Sequence, residues 1–164
     1  MADSTPLLIR AADAAAAFST HSHPWNPDSA ISGAQLGRMA GLKRTGVSLA
    51  RIEPGKESFA YHSHEREEEW LYILSGTGTA EVDDAQYEIG PGDFMAFPTP
   101  SVAHHLRNTG NVPLVYLMGG ENRECDVVTF PRLGKRMVKF SGRIEIYDLA
   151  DERGMAPIGP GGGD

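Results

Sequence analysis

The middle of the chain alternates apolar and polar positions in short segments that glycine and proline separate. Short alternating segments with β-branched and aromatic residues are typical of strands, and many of them in series predict an all-β sandwich or barrel. Asp83-Asp84 is a candidate for a tight hairpin turn, because short acidic residues tolerate the conformations that such turns need. The predicted strands lie near residues 45–53, 57–63, 69–75, 78–83, 86–89, 93–97, 102–108 and 114–118.

Two flanks differ from this central pattern. Only the alanine-rich segment 11–18 has the composition of a helix, and the segment 21–33, HSHPWNPDSAISG, has the proline and polar residues of an irregular arm. After the core, the alternation is weak and predicts at most edge strands near 125–130 and 143–149. The expected organisation is an N-terminal extension (1–44), a barrel core (45–120), a C-terminal extension (121–156) and a disordered tail (157–164).

Charge and cysteine content exclude several classes of protein. The 164 residues include 22 acids and 15 bases, a net charge of −7, and no basic cluster. Nucleic-acid and membrane partners are therefore not expected. Cys125 is the single cysteine, so the chain cannot form an internal disulfide. Because residues 1–18 lack the basic start of a secretory signal, we expect a cytoplasmic location.

All six histidines fall in three close pairs, and the pair in YHSHEREEEW carries the clearest chemistry. On a strand, His62 and His64 project from the same face about 6 to 7 Å apart at their β-carbons. Neutral imidazoles so placed can share one metal ion. Glu69 shares its face with Leu71 and Ile73 and so points inward, where an unpaired carboxylate is costly. A metal ion would satisfy all three side chains.

The order of these residues resembles the first signature motif of the cupin superfamily. It has a glycine (Gly55), the two histidines, Glu69 and a closing glycine (Gly76). A second cupin-like motif, GDFMAFPTPSVAHHLRN, begins at Gly92 and continues through Pro98, His104 and Asn108. Three positions depart from the cupin pattern: the first gap is one residue longer, Pro100 replaces a glycine, and one extra residue precedes His104.

The resemblance covers residues 45–120 and implies a small antiparallel jelly-roll β-barrel. It also implies one divalent metal ion, whether Mn, Fe, Co, Ni or Zn, bound inside the barrel by His62, His64, Glu69 and His104. Three histidines and one carboxylate leave coordination positions for water or substrate, as in catalytic sites. The wider pattern resembles bacterial single-domain proteins of the conserved-barrel cupin type.

Several alternatives stay open at the level of sequence. His105 competes with His104 as the third histidine ligand, and Glu67 competes with Glu69 because it has the same alternation. His21 and His23 repeat the HSH spacing but have no acid five residues later, which makes them poor ligands. Trp25 is expected to fix the N-terminal arm to the barrel. The residues that are candidates either for lining a pocket or for facing solvent are Arg51, Tyr61, Tyr72 and Arg107.

Two functions compete on these observations. The first is a metal-dependent enzyme on a small polar metabolite, a dioxygenase, isomerase, decarboxylase or lyase, in which the ion activates an oxygen. The second is a non-catalytic module that binds or senses a small ligand. Cupins commonly exchange edge strands between subunits, and both flanks offer such strands, so we also expect a homodimer.

Overall fold

Residues 5–151 are described by a computed structural model of the chain. The tail expected to be disordered, residues 157–164, and the end of the C-terminal extension lie outside the described residues. Within them, neither α-helix has the length or the apolar character to cross a bilayer. These helices are α1 (Ala11–Ala16) and α2 (Leu36–Met39), and two 3₁₀ turns cover Pro131–Leu133 and Leu149–Asp151.

Antiparallel strands make up the rest of the regular structure. They are β1 (Ser19–His21), β2 (Ile31–Ala34), β3 (Thr45–Ile52), β4 (Ser63–His64), β5 (Glu69–Ser75), β6 (Gly78–Val82), β7 (Ala85–Ile89), β8 (Phe94–Phe97), β9 (His104–Arg107), β10 (Leu114–Glu121), β11 (Cys125–Phe130), β12 (Lys135–Phe140) and β13 (Arg143–Asp148).

One layer of the barrel is a six-stranded sheet in the order β1-β2-β3-β10-β5-β8. Strand β10 lies at its centre and pairs with β3 along its whole length, Leu114 opposite Ile52 and Glu121 opposite Thr45. The N-terminal strands β1 and β2 continue this sheet beyond β3. The N-terminal extension is therefore built onto the barrel wall by backbone hydrogen bonds.

The opposite layer consists of a four-stranded sheet, β13-β12-β11-β4, and a three-stranded sheet, β7-β6-β9. The segment from residue 57 to 62 runs between them and is joined to β9 by two isolated bridges, Glu57 to Arg107 and His62 to His104. The line where the two sheets meet thus passes through His62 and His104, which brings two parts of the chain 42 residues apart into contact.

Apolar side chains from both layers fill the barrel interior and reach the cavity beside this contact. Ile52, Ile73, Leu114 and Tyr116 are almost completely buried, and Leu106 of the opposite layer packs against this group. A second, smaller cluster lies under the C-terminal sheet and is formed by Ala60, Val128 and Phe130 with the partly buried Trp25 and Met137.

Two turns have the backbone conformation that their residues predict. Asp83 and Asp84 have φ of 50° and 61° and connect β6 to β7 as a two-residue hairpin, which confirms the predicted turn. Gly76 has φ of +78°, and a β-carbon there would lie 2.3 Å from the carbonyl oxygen of Pro113. Only glycine fits that position, so the closing glycine of the first motif has a steric cause.

Seven of the eight predicted core strands are confirmed, with bounds shifted by a few residues. The exception is 57–63, where only Ser63–His64 forms a strand, because the preceding residues make isolated bridges rather than a ladder. The irregular arm is also partly wrong: β2 begins at Ile31, and only residues between the two N-terminal strands are irregular. Beyond residue 120, β11 and β13 were expected, whereas β12 between them was not.

Candidate metal centre

The four residues implied as ligands come from three elements that meet where the two layers face each other. His64 lies on β4, Glu69 begins β5 and His104 begins β9. His62 and His104 fix each other through two backbone hydrogen bonds, of 2.8 and 3.3 Å, one in each direction. The backbone therefore positions both imidazoles before any side-chain contact is made.

The four side chains converge on one point. The Nε2 atoms of His104, His64 and His62 lie 3.1, 3.4 and 4.0 Å from one oxygen of Glu69, Oε2. The rings of His62 and His64 have centroids 5.0 Å apart, as do those of His62 and His104. The ligand atoms of His62, Glu69 and His104 lie within 4.8 Å of one another, and His64 joins these three through its contact with Glu69.

Hydrogen bonds on the far side of each ring determine its orientation. Nδ1 of His62 lies 2.7 Å from the carbonyl oxygen of Ala60, and Nδ1 of His104 lies 3.0 Å from that of Val102. A carbonyl only accepts, so each Nδ1 carries the proton, and in a neutral ring the lone pair of Nε2 then faces Glu69. Phe97 stacks on His104 at 3.6 Å and further restricts that ring.

A cation fits this arrangement better than protons do. Three imidazole lone pairs and a carboxylate oxygen are all acceptors, and acceptors held this close need a positive charge between them. The Nε2 of His64 is buried and has no hydrogen-bond partner within residues 5–151. His104 contacts acceptors through both nitrogens, which a neutral ring cannot satisfy with one proton. The donor set of three nitrogens and one oxygen suits a divalent transition metal.

The ionisation of His62 and Glu69 favours metal binding near neutral pH. Burial lowers the pKa of His62 to about 3, and the charge of His104 acts in the same direction. Burial raises the pKa of Glu69, but the close contact with His104 and the charge of His64 outweigh it, so the net pKa is lowered. His62 is thus neutral and Glu69 charged, as ligands must be.

Asp126 supports the site from behind His64, and sequence reasoning did not single it out. Its Oδ2 lies 2.6 Å from Nδ1 of His64, and its Oδ1 accepts a 3.0 Å hydrogen bond from the backbone N–H of Arg66. Asp126 is 1% exposed. Although burial lowers the pKa of His64, the hydrogen bond with Asp126 and the charge of Glu69 outweigh it and raise that pKa. A carboxylate on the non-ligating nitrogen commonly orients metal-binding histidines.

Glu67, the alternative acid, lies on a different side of His64 from Glu69. Together with His64 and Asp126 it forms a second group of close acceptor atoms. Its Oε1 accepts a 2.7 Å hydrogen bond from the backbone N–H of Arg123 and contacts Lys139 of β12. The backbone amide of Arg123 and the ammonium group of Lys139 satisfy Glu67 within the C-terminal extension, away from the point where the histidines meet.

His105, the alternative histidine, faces away from that point. Its Nε2 lies 2.8 Å from Oε2 of Glu81, and Glu81 in turn accepts hydrogen bonds from both terminal nitrogens of Arg132. Neighbouring residues on a strand alternate in direction, so His104 and His105, although both buried, project from opposite faces of β9.

The N-terminal histidines lie outside the four-residue cluster. His21 contacts Ser19 at 2.9 Å at the exposed end of β1. His23 packs between Trp25 and Phe130, with ring centroids 5.4 Å away in both cases. Trp25 also makes an edge contact with Phe130, so it fixes the arm to the C-terminal sheet.

None of the four residues considered as pocket candidates lines the cavity beside the candidate ligands. Tyr61 is buried, and its hydroxyl accepts a hydrogen bond from the N–H of Asp84 while Arg132 lies over its ring. The other three face outward. Arg51 pairs with Glu53 and Arg107 pairs with Glu57, while Tyr72 is 40% exposed.

A cavity of about 140 Å³ opens beside His62, Glu69 and His104. Tyr116, a residue that the sequence did not single out, forms part of its wall. Burial and the nearby negative charge of Glu69 raise the pKa of this phenol, which therefore stays neutral and can donate. Its hydroxyl makes no hydrogen bond within residues 5–151. The alternation of β10 could have indicated that Tyr116 faces the interior, because Leu114, Tyr116 and Met118 share one face of the strand.

Comparison with known proteins identifies the fold family. The family model described as the cupin domain matches residues 48–120. A solved structure from Acidithiobacillus ferrooxidans is 38% identical, covers 94% of this chain and 99% of its own, and superposes with a TM-score of 0.88. The chain belongs to the cupin superfamily. The protein from A. ferrooxidans is named as a candidate sugar phosphate isomerase.

Other cupins agree on the fold. A sugar phosphate isomerase of the cupin superfamily from Silicibacter pomeroyi superposes with a TM-score of 0.74 at 23% identity, covering 85% of this chain and 90% of its own. An uncharacterised protein of Methanocaldococcus jannaschii is 41% identical over 71 residues, which are 43% of this chain and 56% of that protein. The chain thus spans little more than half of this curated relative. The expected jelly-roll β-barrel is confirmed.

Proposed function

We propose that this cupin is a divalent-metal-dependent enzyme acting on a small polar metabolite, and that His62, His64, Glu69 and His104 hold the metal. The observation that carries the proposal is the position of three imidazole Nε2 atoms within 4.0 Å of one carboxylate oxygen. These residues would hold a metal ion that would act as a Lewis acid on an oxygen of the substrate. The ligand set also leaves room in the adjacent cavity for that substrate.

Among the reactions expected of a cupin, we place isomerisation of a sugar phosphate first. The relative that carries this name shares 38% identity over nearly the whole chain. An isomerase needs no second substrate and no oxidant, only a polarised oxygen and groups that move a proton between neighbouring carbons. Decarboxylase, lyase and dioxygenase chemistry are the alternatives that the same ligands would serve.

The protein residues around the site have separable tasks in this proposal. Tyr116, neutral at physiological pH, donates a hydrogen bond from its hydroxyl to an oxygen of the substrate. The side chains of Phe59, Leu71 and Met118 form an apolar wall that excludes water from the substrate carbons. Asp126 keeps the His64 ring in the orientation and tautomer that ligation needs.

Metal analysis of the purified protein tests the ligand set. We expect about one transition-metal ion per chain, and loss of that ion in the triple variant His62→Ala/His64→Ala/Glu69→Ala. Glu65→Ala/Glu68→Ala is the matched control, because it removes two exposed carboxylates from the same turn. Full metal stoichiometry in the triple variant would refute the site.

The reaction is tested separately with metal-loaded protein. A panel of aldose and ketose phosphates is incubated with the protein and followed by NMR for exchange of solvent deuterium at the carbon next to the carbonyl. Turnover that disappears in the triple variant supports isomerisation. Metal-loaded protein that neither exchanges deuterium into any member of the panel nor converts one to its isomer would refute the isomerase assignment and leave the metal site standing.

A further inference from the structure

A second, larger cleft adjoins the cavity at the metal site. It has a volume of about 550 Å³ and lies between the N-terminal extension and the sheet formed by β3 and β10. The two spaces share three lining residues, Ser48, Phe59 and Met118. Ser48 and Met118 are register partners on neighbouring strands, so this pair forms the common boundary. The two spaces are therefore adjacent, and a molecule bound at the metal site would pass these side chains to reach the cleft.

The charge of the cleft is opposite to that of the protein. The chain carries a net charge of −7, yet no aspartate or glutamate is among the described residues that line this cleft. Its polar lining includes Arg38, His21 and the hydroxyls of Ser19 and Ser32. In an acidic protein, a cleft that combines a cation with hydroxyl groups and excludes carboxylates is suited to an anionic ligand.

Arg38 has no ion-pair partner within residues 5–151, in contrast to several other arginines of the chain. The guanidinium groups of four other arginines each lie 2.6 to 2.9 Å from a glutamate oxygen, and these are Arg51, Arg107, Arg123 and Arg132. Arg38 lies on α2, exposed to the cleft, with its five N–H donors available. A planar guanidinium binds phosphate with two parallel hydrogen bonds, which makes it the preferred residue for phosphate recognition.

The sizes of the two spaces support a substrate that occupies both. Pockets for small metabolites commonly measure about 300 to 1,000 Å³, and the cavity at the metal site, at about 140 Å³, is too small to enclose a whole sugar phosphate. It holds the reacting end of such a molecule. The remainder has to lie in the adjoining cleft, where Arg38 is found.

We infer that this cleft binds the phosphate of a phosphomonoester substrate through Arg38, while the sugar end of the same molecule reaches the metal centre. The inference rests on the proposed function, because it specifies the substrate of that centre. Arg38 is a specificity-determining residue in this arrangement: it holds the phosphate, and the metal-site residues contact the reacting atoms. Neutral sugars lack the group that Arg38 recognises and bind weakly.

Calorimetric titration of the metal-loaded protein tests the inference. The probes are ribose 5-phosphate, inorganic phosphate and, as the neutral counterpart, ribose. We expect Arg38→Ala to weaken binding of both phosphate probes by about tenfold or more, and Arg38→Lys to retain part of the affinity, because lysine keeps the charge but not the planar fork. Arg143→Ala is the matched control, since it removes an exposed arginine on β13 and should leave both affinities unchanged.

Two results would overturn the inference. One is equal affinity of wild type and Arg38→Ala for ribose 5-phosphate. The other is loss of inorganic phosphate binding in the triple variant His62→Ala/His64→Ala/Glu69→Ala, which would place the phosphate at the metal centre. If wild type holds its metal and exchanges deuterium while Arg38→Ala binds phosphate normally, the inference fails and the proposed function stands. Arg38-dependent phosphate binding that persists in the triple variant supports the cleft independently of the metal.

Discussion

His64 and Asp126 form a buried pair in which Nδ1 and Oδ2 lie 2.6 Å apart, and the two residues are separated by 62 positions in the sequence. The pair joins the barrel to the first strand of the C-terminal sheet, whose Val128 is the register partner of His64. The other two histidines contact backbone carbonyls in the same way, so His64 alone is oriented by a charged group.

Replacing Asp126 should weaken metal binding without removing a ligand. In Asp126→Asn the ring of His64 loses its charged acceptor, and we expect the metal affinity to fall by about ten- to a hundredfold. Competition with a coloured chelator measures this affinity. Asp28→Asn, an exposed acid with no side-chain hydrogen bond within residues 5–151, is the charge-matched control. Equal affinities for Asp126→Asn and wild type would contradict the role assigned to Asp126.

Gly120 leaves the space that Glu69 occupies on the neighbouring strand. A β-carbon at Gly120 would lie 2.6 Å from the carbonyl oxygen of Glu68 and 3.2 Å from Cγ of Glu69. Gly120→Ala should therefore displace Glu69 and reduce metal stoichiometry, with a modest loss of thermal stability. The comparison variant is Gly46→Ala, on the adjacent strand, where the nearest atom would be 3.8 Å away. Full metal occupancy in Gly120→Ala would show that Glu69 tolerates the displacement.

Ionised Glu81 should stabilise the folded protein near neutral pH, and this stabilisation should disappear in acid. The hydrogen bonds from Arg132, despite an opposing effect of burial, lower the pKa of Glu81 from 4.5 to about 2 in the folded protein. Between these two values the unfolded chain takes up a proton that the folded chain does not, so this contribution to the free energy of unfolding is lost as pH falls from about 4.5 to about 2.

Urea denaturation at several pH values tests the role of Glu81. We expect Glu81→Gln to be less stable than wild type at pH 6, and the difference between the two to shrink as the pH is lowered toward 3. Glu88→Gln, an exposed residue of β7, should match wild type at each pH. A difference between Glu81→Gln and wild type that stays constant over this range would exclude the ionised pair with Arg132 as its source.

We predict a homodimer in solution. Strand β13 is exposed along its whole length, and Ile144 and Ile146 on one of its faces are 61% and 52% exposed. An unpaired edge with apolar side chains readily pairs with another chain. Sedimentation equilibrium at micromolar concentration should give twice the monomer mass, and Ile144→Lys/Ile146→Lys should shift the mass toward the monomer. A monomeric wild type would contradict the prediction.

The barrel core could be predicted from the sequence because its strands and turns are determined by residues that are close together in the chain. Alternation shows which face of a strand is buried, and turn residues show where it ends. The shared face of His62 and His64 and the inward direction of Glu69 follow from such local rules, whereas His104 and Asn108 were indicated by the resemblance to the second cupin motif. Asn108 illustrates the agreement: it is buried, and its side chain ties together the backbones of Ile52, Gly110 and Val112.

The remaining features depend on contacts between residues that are far apart in the sequence. Asp126 lies in a weakly alternating segment, and nothing near it in the sequence indicates that it faces His64. Strand β12 was missed because its alternating residues are cationic and only partly buried. Strand β2 was missed because it begins four residues after Pro27, and its pairing with β3 rather than its own composition stabilises it. Arg38 attracted no notice as an isolated basic residue on a four-residue helix.

The family match ends at residue 120 and begins at residue 48, and that span contains all four proposed ligands. Asp126 and Arg38 both lie outside it, one in each flank. Two relatives can therefore keep the same metal-binding residues and still differ in how firmly they hold the ion and in which molecule they admit. In this architecture the barrel carries the shared chemistry, and divergence of substrate can proceed in the flanks without changes to the barrel.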